Sequence, residues 1–540
     1  MIIVPVLTVR LKDRVRTIPF DAGQSIRDIL DSTDIRVRAG CNGSGACGLC
    51  RVRIESGTVP KPTVKERTIL DSSLRAEGIR LACQVKPKKN VQVEILNPAR
   101  RSNWRNLPEA KGCVIPQQPD FSSRVFTYRE TIPYGVAVDL GTTHISISLH
   151  DLVTGKRLAG RIGQNPQMNS GSDIMTRLVA ASRSPVHASL LSKSVREAIG
   201  EALQDIANRD GINLLQVVRF TLVGNTAMLA LLSGRNYALL TKPSYWAGDI
   251  DCLPENPGAW AADWGFDPDA VVEILPPLAG FVGSDLLAGV LATHLTDSKE
   301  KGLFIDFGTN SEIAVWDGEV LWVTSAAGGP AFEGSGFTCG MPAEPGAVYR
   351  VRFRNETAAL STIAGDNARG LCGSGIIDLI AGLVERGILT EKGQFAPEYS
   401  KEGFVVADRD PRIVLVKRDV DLFQRAKAAI GTGIQVLLAQ GCMEYTDLQN
   451  IYIGGIFGHF LDIKNARKVG LLPMIPPGRI RLCGNTALNG CELTLLSSQA
   501  ADQLKNIRSS AHIINLSQCR DFDDIFLENL YLRQFGGKKA

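Results

Sequence analysis

The 540-residue sequence has no uninterrupted apolar run of about 18 residues, the length that a membrane-spanning helix requires. Its first residues, MIIVPVLTVRLKD, carry no basic stretch before the apolar ones, which Pro5 and Arg10 interrupt, so we expect a first β-strand and no signal peptide. The formal net charge of +4 is small for this length and argues against a general nucleic-acid-binding surface. We therefore expect a cytoplasmic protein with neither a membrane nor a nucleic acid as partner.

Cysteine is sparse everywhere except in one segment. Three of the 12 cysteines, Cys41, Cys47 and Cys50, lie within ten positions in AGCNGSGACGLCRVRIESG (39–57). Clustered thiols in a reducing cytoplasm are metal ligands more often than disulfides. The six histidines form no recognised ligand pair, and we expect structural or surface roles for them. The segment around residues 39–57 is thus the first candidate site.

The cysteine spacing predicts an iron–sulfur cluster. Cys41, Cys47 and Cys50 follow the pattern C-x5-C-x2-C, and Cys83 follows at a distance in GIRLACQV. Three thiolates on one loop and a distant fourth are what a 2Fe–2S cluster requires, and the intervening glycines let the backbone curl around it. A structural zinc site is the alternative, but zinc loops usually present two close pairs of ligands, whereas Cys83 has no neighbouring cysteine or histidine.

The flanks of this loop alternate as strands around a short helical stretch, SIRDILDS. This order resembles the β-grasp fold of plant-type and adrenodoxin-type ferredoxins, and the five-residue first gap matches the adrenodoxin-like version. We therefore predict a 2Fe–2S electron carrier over residues 1–97. Residues 98–132 contain four prolines and no sustained period, which predicts a linker. An extended connector that lets the carrier move and a segment packed along the larger domain are both compatible with that composition.

A second motif occurs twice. VDLGTTH (138–144) and IDFGTNS (305–311) share the pattern D-[LF]-G-T-[TN], each after an apolar strand and before an alternating one, which indicates an internal duplication. Backbone N–H groups and hydroxyls at two such turns can bracket the phosphates of a nucleotide, and the two aspartates can hold Mg²⁺ through its waters and orient an attacking water. The predicted phosphate-site residues are Asp139, Gly141, Thr142, Thr143, Asp306, Gly308, Thr309 and Asn310.

A third phrase, NIYIGGIFGHFLD (450–462), follows another apolar strand, and its glycines would let an adenine and ribose approach the backbone. The residues predicted to shape this pocket are Gly454, Gly455, Phe457 and Gly458. The three phrases together resemble the phosphate-1, phosphate-2 and adenosine motifs of the ASKHA superfamily (acetate and sugar kinases, Hsp70 and actin). The fold class is accordingly multi-domain α/β: the ferredoxin-like domain, then a duplicated ribonuclease-H-like ATPase with subdomains at 133–300 and 301–540.

A ferredoxin domain followed by this ATPase resembles the reductive activators of corrinoid-dependent methyltransferases. The phrases that carry the resemblance are GACGLCRVRIESG, RLACQV, VGNTAM, LAGFVGSD, GGPAFEGSG, CGSGIIDLI, RAKAAI and GNTALNG. The resemblance implies transfer of one electron from the 2Fe–2S cluster to inactive Co(II) of a corrinoid protein, giving Co(I), at the expense of ATP with Mg²⁺. It also implies two partners, the corrinoid protein of a methyltransferase system and an upstream electron donor.

Two further site residues come from the resemblance. Lys427 on the RAKAAI helix is a candidate to reach the nucleotide. Glu333, in the GGPAFEGSG loop, is a candidate either for orienting water or for a structural role, and the loop itself could meet the nucleotide or the corrinoid partner. Some members of the family carry an extra domain before the ATPase. Here Asp139 follows the linker directly, so we expect no such domain, and the oligomeric state, with a homodimer as one candidate, is left open.

Two other functions share these motifs. One is an ATP-driven electron donor to an enzyme without a corrinoid, and the other is a redox-sensing small-molecule kinase of the same superfamily. A redox-gated ATP-binding scaffold without enzymatic activity is a third alternative. The sequence names neither the methyl donor nor the reductant, and the potential of the cluster depends on burial and hydrogen bonds that it does not reveal.

Overall fold

The computed structural model describes most of the chain. It covers residues 5–11, 14–31, 33, 35, 37, 43, 45, 48, 50–98, 104–107, 132–171, 173–308, 310–328, 332, 336–343, 345–354, 357–365, 367–408, 412–455, 457 and 460–535. The predicted site residues that lie outside this described part are Cys41, Cys47, Thr309, Glu333 and Gly458. Among the described helices, none has the length and apolar character needed to cross a membrane.

The N-terminal region is built on one five-stranded mixed sheet. Its strands are β1 Val6–Leu11, β2 Arg14–Pro19, β3 Arg51–Gly57, β4 Ile79–Leu81 and β5 Val91–Ile95. They lie in the order β2-β1-β5-β3-β4, with β1 parallel to β5 and the other pairs antiparallel. Three short helices accompany them: α1 Ile26–Asp31, α2 Val64–Ile69 and α3 Ser72–Ala76. The succession of hairpin, helix and returning strands confirms the predicted ferredoxin-like fold.

The next region contains a six-stranded sheet. Its strands are β6 Arg105–Asn106, β7 Tyr134–Leu140, β8 His144–Asp151, β9 Arg157–Gln164, β10 Val217–Gly224 and β11 Val271–Ile274. The order is β11-β10-β7-β8-β9-β6. Strands β7, β8 and β9 form an antiparallel meander, and β10 and β11 add to β7 in parallel.

The third region repeats this architecture. Its sheet is formed by β12 Gly302–Phe307, β13 Ser311–Trp316, β14 Leu321–Ala326, β20 Asn450–Gly455, β21 Ile480–Gly484 and β22 Ala511–Ile513, in the order β21-β20-β12-β13-β14-β22. An antiparallel meander, β12 to β14, is again extended by two parallel strands, β20 and β21. The internal duplication predicted from the two D-x-G-T turns is therefore confirmed in the sheet topology. We call the two regions the first half and the second half.

Helices surround both sheets. They are α4 Ile174–Ala181, α5 Pro185–Asp210, α6 Thr226–Ser233, α7 Ala259–Trp264, α8 Ser284–Thr293, α9 Gly373–Glu385, α10 Lys417–Gln440, α11 Ile463–Lys468, α12 Thr486–Leu496, α13 Ser498–Ser510 and α14 Phe522–Asn529. Two small sheets lie between elements of the second half: β15 Ala347–Arg354, β16 Thr357–Thr362 and β17 Gly370–Leu371, and β18 Phe404–Ala407 with β19 Ile413–Leu415.

The longest helix shows how local sequence sets the boundaries. Helix α5 starts after Ser184, whose hydroxyl accepts a hydrogen bond from the backbone N–H of His187, and Pro185 occupies its first turn. It ends at Gly211, which adopts φ +71° and so provides the left-handed residue that commonly closes a helix. These signals fix a rigid element that runs along the first half.

Helices α8 and α12 lie between the two large sheets and share one core with both. Val223 of the first sheet, Phe304 of the second and Leu287 of α8 are all fully buried in this core. The helices approach closely, because a Cβ on Gly490 would lie 2.0 Å from the carbonyl oxygen of Ala288. This shared core holds the two halves together beneath the turns that carry the predicted site.

The described part of the linker is packed on the first half. Strand β6 pairs antiparallel with the outer edge of β9, and Trp104 is only 5% exposed. The Trp104 ring covers Gly163, where a Cβ would lie 2.6 Å from it. For residues 104–107, the packed alternative is therefore the one the structure adopts.

Candidate functional site

The first phosphate turn lies between β7 and β8. A Cβ on Gly141 would lie 2.6 Å from the carbonyl oxygen of His144, so the turn accepts only glycine there. Thr142 is buried, and its hydroxyl accepts a hydrogen bond of 2.9 Å from Nδ2 of Asn225. Asn165 braces the turn from behind by donating from Nδ2 to the Gly141 carbonyl and from its backbone N–H to the Thr143 carbonyl, both at 2.9 Å. Side chains from two other segments therefore fix the conformation of this turn.

The second phosphate turn lies between β12 and β13, directly beside the predicted adenosine segment. The Gly308 N–H donates to the Asn310 carbonyl at 3.0 Å and closes the turn. Asp306 pairs with Gly454 across the parallel β12–β20 contact. Gly455 has φ +71°, and a Cβ there would lie 2.5 Å from Oδ1 of Asp306. The fold thus brings together two motifs that are almost 150 residues apart in sequence.

Phe457, predicted to shape the adenosine pocket, lies within the hydrophobic core. Its ring is 2% exposed and packs edge-to-face on Phe307 and Phe332, with ring centroids 4.9 and 5.4 Å apart. These three phenylalanine rings pack against the end of β12, where Asp306 lies. Phe457 therefore positions the backbone of both motifs.

Four carboxyl groups, one of them buried (Glu312) and three partly buried (Asp139, Asp285 and Asp306), influence one another where the two halves meet. Burial, opposed by a hydrogen bond from Asn485, raises the pKa of Asp139 to about 6. Burial and the charge of Asp139 raise the pKa of Asp285 to about 7. Burial and the charges of Asp285 and Asp139 raise the pKa of Asp306 to about 8. Burial and the charges of Asp285 and Asp306 raise the pKa of Glu312 well above its usual value. Such a concentration of buried negative charge favours binding of a cation.

Asp285 and Glu312 were not predicted from the sequence. Glu312 lies opposite Asp306 in the β12–β13 register, so the strand alternation after the D-x-G-T turn was the available signal. Asp285 lies in the first turn of α8, inside the LAGFVGSD phrase. That phrase supported the family resemblance, but no site role was predicted for its residues. Within the described residues, no three histidine, cysteine, aspartate or glutamate side chains converge closely enough to chelate a metal ion directly.

Asn485 is the other residue that sequence reasoning missed. Its Nδ2 donates to Oδ2 of Asp139 at 2.8 Å, and its Oδ1 accepts from the backbone N–H of Leu488 and so caps α12. Asn225 does the same for α6 while it holds Thr142. The available signal was the tetrapeptide GNTA, which occurs at both 224–227 and 484–487. Asn485 belongs to the second half and Asp139 to the first, so this bond joins the two halves.

Lys427 lies on α10 and is almost fully buried, at 2% exposed. Burial and the nearby charge of Arg533 lower its pKa to about 7. Its Nζ lies 3.4 Å from the point where a Cβ on Gly470 would stand, in the turn after α11. A buried amine beside a glycine backbone is suited to a hydrogen bond with a polar ligand group.

The cysteine site is described at two of its four predicted ligands. Cys50 and Cys83 are buried, and their sulfur atoms lie 3.4 Å apart. Two thiolates on one tetrahedral ion, with bonds of about 2.3 Å, would lie about 3.8 Å apart, so this pair fits a shared iron. A hydrogen bond with Cys50 is the main cause that lowers the pKa of Cys83 to about 6, and burial opposes it. Gly43, Gly45 and Gly48 all have positive φ, as the predicted tight loop requires.

A buried ion pair supports Cys83. Arg80 donates to Glu66 through Nε and Nη2 at 2.9 and 2.8 Å, and the backbone N–H of Leu81 donates to the same carboxylate at 3.1 Å. Gln84 Nε2 donates to the Gly43 carbonyl at 3.0 Å. Strand β4 and the cysteine loop are therefore fixed relative to each other, which is what a site for a preformed cluster requires.

Comparisons with known proteins agree with this geometry. Three family models match: a 2Fe–2S iron–sulfur cluster binding domain over residues 9–88, the RACo middle region over 134–298, and the C-terminal domain of RACo, the ASKHA domain, over 300–539. The solved structure of a "Reductive activator for corrinoid,iron-sulfur protein" covers 98% of both chains with 26% identity and a TM-score of 0.67.

Two curated relatives extend over most of the chain. The "Corrinoid activation enzyme RamQ" of Eubacterium limosum is 31% identical over 417 residues, which cover 73% of this chain and 70% of the relative. The "[Co(II) methylated amine-specific corrinoid protein] reductase" of Methanosarcina barkeri is 25% identical over 427 residues, which cover 73% of this chain and 76% of the relative.

Proposed function

Because the chain belongs to the family of reductive activators of corrinoid proteins, we propose that it returns a corrinoid protein from inactive Co(II) to Co(I) in an ATP-dependent step. One observation carries the proposal: a single chain combines a ferredoxin-like cysteine site with two D-x-G-T turns whose aspartates, Asp139 and Asp306, lie close enough for the charge of one to raise the pKa of the other. An electron carrier and a nucleotide site in one chain indicate an electron transfer that needs an additional source of free energy.

The cysteine site performs the redox part. When bound, a 2Fe–2S cluster supplies one electron, which the cobalt of the partner accepts. Cys41, Cys47, Cys50 and Cys83 would hold the cluster, and the Glu66–Arg80 pair keeps β4 in place behind Cys83. Burial of Cys50 and Cys83 excludes water from this side of the site.

The cleft performs the nucleotide part. Thr142, Thr143, Asn310 and the two turn glycines would bind the phosphates of a nucleotide, and Asp139 and Asp306 would hold its Mg²⁺. Asp285 and Glu312 add negative charge to the same space, which the cation offsets. Lys427, Gly454 and Gly455 form the adenosine side. Hydrolysis of bound ATP supplies free energy, and Asp139, held by Asn485, orients the attacking water.

Free energy is needed because of the potentials involved. The reduction potential of plant-type clusters lies near about −400 mV. Each 100 mV by which the potential of the acceptor lies below that of the cluster costs about 2.3 kcal/mol for the transfer of one electron. Nucleotide binding helps only through a state that changes how the chain binds its partner. The two halves, joined through α8 and α12, provide such a two-state element when they close around the nucleotide.

The remaining assignments belong to the same proposal. The chain divides into the cluster domain at 1–97, the linker at 98–132 and ATPase halves at 133–300 and 301–540. Its partners are the corrinoid protein of a methyltransferase system and an electron donor that reduces the cluster, in the cytoplasm. The two large sheets of like topology support placing both halves in one ATPase.

The decisive experiment is anoxic and optical. Chemically reduced protein is mixed with a Co(II)-loaded corrinoid protein from the same organism, and the Co(I) absorbance is followed with and without ATP. We expect Co(I) only with ATP. An intact cluster and measurable ATP hydrolysis without Co(I), tested against each corrinoid protein of that organism, would refute the proposal. A phosphorylated small molecule or reduction of another acceptor would then identify which alternative holds.

Two variants separate the parts. Cys83→Ser should lose the visible absorbance of the cluster and the electron transfer but keep ATP binding, whereas Cys252→Ser, a buried cysteine of the first half, should change neither. Asp306→Ala should keep the cluster and abolish ATP-dependent Co(I) formation. Full activation by Asp306→Ala at saturating ATP would remove Asp306 from the mechanism.

A further inference from the structure

A buried ion network joins the ferredoxin-like domain to the first half. Arg27 of α1 donates from Nη2 to Oδ1 of Asp210, the last residue of α5, at 2.6 Å, and the two side chains are 5% and 1% exposed. Arg161 of β9 binds the other oxygen of Asp210 at 2.7 Å and also pairs with Asp205. Asp210 therefore bridges an arginine of the cluster domain and an arginine of the ATPase.

This contact lies beside the cysteine loop. The backbone N–H of Arg27 donates to the Ala82 carbonyl at 3.1 Å, next to Cys83. A Cβ on Gly43, in the loop, would lie 3.6 Å from Nη1 of Arg27. The same arginine thus contacts the surroundings of the cluster on one side and the ATPase on the other.

Because it consists of ion pairs, the contact between the ferredoxin-like domain and the first half can open. Arg209, next to Asp210, is also fully buried, and burial together with the charge of Arg27 lowers its pKa to about 9. The three arginines face three aspartates, Asp205 and Asp210 of α5 and Asp28 of α1. Buried ion pairs contribute little net stability, because the loss of hydration offsets the attraction. A contact built in this way can open at modest cost, unlike an apolar interface.

The linker limits how far the cluster domain can travel. Pro98 still forms a bridge with Val37 of the ferredoxin-like domain, and Trp104 is already anchored over Gly163. The six steps between them reach at most about 20 Å. If Trp104 and β6 detach, the chain from Pro98 to Ile132 reaches about 110 Å.

We propose that the surface formed by Asp210, Arg161 and Arg209 is a docking station for the chain's own ferredoxin-like domain. Arg27 is the contact residue on the cluster domain, and Trp104 with β6 is the anchor that sets its reach. The docked arrangement is the resting position, and a longer reach requires that the anchor opens. The purpose of this movement, delivery of an electron to a corrinoid protein, rests on the proposed function. The docked geometry itself is independent of the proposed function.

The test is small-angle X-ray scattering on the full, cluster-loaded chain without ATP or a corrinoid protein. A single compact chain of this length has a radius of gyration of about 24 Å. The scattering is recorded behind size-exclusion chromatography with light scattering, so that wild type and variants are compared in the same oligomeric state. Arg27→Glu places a carboxylate against Asp210, which keeps Arg161 as its partner, so the first half stays folded. We expect this variant to increase the radius, and the double variant with Trp104→Ala to increase it by several ångströms.

The matched control is Arg53→Ala, which removes an arginine whose partner, Glu94, belongs to the same domain. It should leave the radius unchanged. Visible absorbance confirms that each variant retains its cluster and hence its fold. A double variant as compact as the wild type in the same oligomeric state would overturn the proposal. Because no partner is present, neither result depends on whether the acceptor is a corrinoid protein.

Discussion

Asn485 connects the two halves of the nucleotide site through one side chain. Its amide holds Asp139 at 2.8 Å while its carbonyl oxygen caps α12. A carboxylate that is the proposed guide of the attacking water needs a fixed orientation, and in a buried site a hydrogen bond from a capped helix provides it. The residue therefore has one role in folding and one in positioning.

We expect Asn485→Ala to lower ATP-dependent Co(I) formation about tenfold. A hydrogen bond to a charged group contributes about 1.5–3 kcal/mol, and the lost cap costs about 1 kcal/mol of stability. Asn225→Ala is the control, since it removes an equivalent cap but holds a hydroxyl instead of a carboxylate. The melting temperatures of both variants should fall alike. If Asn485→Ala loses no more activity than Asn225→Ala, which also releases Thr142, the bond to Asp139 has no role of its own in activity.

The raised carboxyl pKa values predict an unusual pH dependence. The pKa of Asp306, about 8 in the folded chain, lies above its ordinary value of 3.8. A carboxyl whose folded pKa is raised stabilises the fold fully below pH 3.8, and this contribution is lost as the pH rises through about 8. Asp306→Asn, which cannot ionise, should therefore gain in melting temperature over the wild type between pH 5 and pH 9. A difference that stays constant over that range would contradict the raised pKa.

At this scale, the sequence predicted the aspartates better than their partners. The pattern D-x-G-T identifies Asp139 and Asp306 because each follows a buried strand and precedes a glycine turn. Asp285 and Asn485 have no such local signature. Asn485 meets Asp139 across 346 residues of chain, and only the packing of α12 between the sheets brings them together.

At the scale of elements, the junction of β12 and β20 places the phosphate and adenosine motifs side by side. Gly455 permits this because its φ of +71° is accessible to glycine without strain, and because its Cα faces the Phe307 carbonyl. The sequence showed the apolar strand and its glycines, but the parallel pairing with β12 comes from the doubled topology of the fold.

We expect Gly455→Ala to destabilise the chain by about 2 kcal/mol or more. Its Cβ would lie 2.2 Å from the Phe307 carbonyl oxygen, and a left-handed conformation costs a residue with a side chain about 1–2 kcal/mol. ATP-dependent activation should be lost while the cluster absorbance remains. Gly478→Ala is the control, because no atom lies within 4 Å of its added methyl group. Unchanged denaturant midpoints for both variants would refute this account of the junction.

At the scale of the whole molecule, α8 and α12 connect the two halves, because they share one core with both large sheets. Their approach is close enough to exclude a methyl group at Gly490, and Gly289 likewise faces the ring of Phe304, 2.5 Å from the point where its Cβ would stand. The proposed movement of the two halves on nucleotide binding would therefore change the packing of this pair of helices.

We expect Gly490→Ala to force α8 and α12 apart and to weaken nucleotide-dependent closure. Overpacking of this kind costs about 1–3 kcal/mol, and the added Cβ would lie 2.0 Å from the Ala288 carbonyl oxygen. ATP hydrolysis and thermal stability should fall together, with the cluster intact. Gly248→Ala, whose nearest neighbour is 3.7 Å away, is the control. Normal ATP hydrolysis by Gly490→Ala would show that closure does not depend on this contact.

The sequence by itself determined everything that neighbours along the chain can encode. Cysteine spacing, glycine turns after apolar strands and the repeated D-x-G-T pattern are local, because turn conformation and strand alternation depend on a few adjacent residues. The tertiary structure alone decided which side chains meet: Asn485 with Asp139, Arg27 with Asp210, and Trp104 with Gly163. Those contacts depend on how sheets, helices and linker pack over distances of up to hundreds of residues, and no local pattern records that packing.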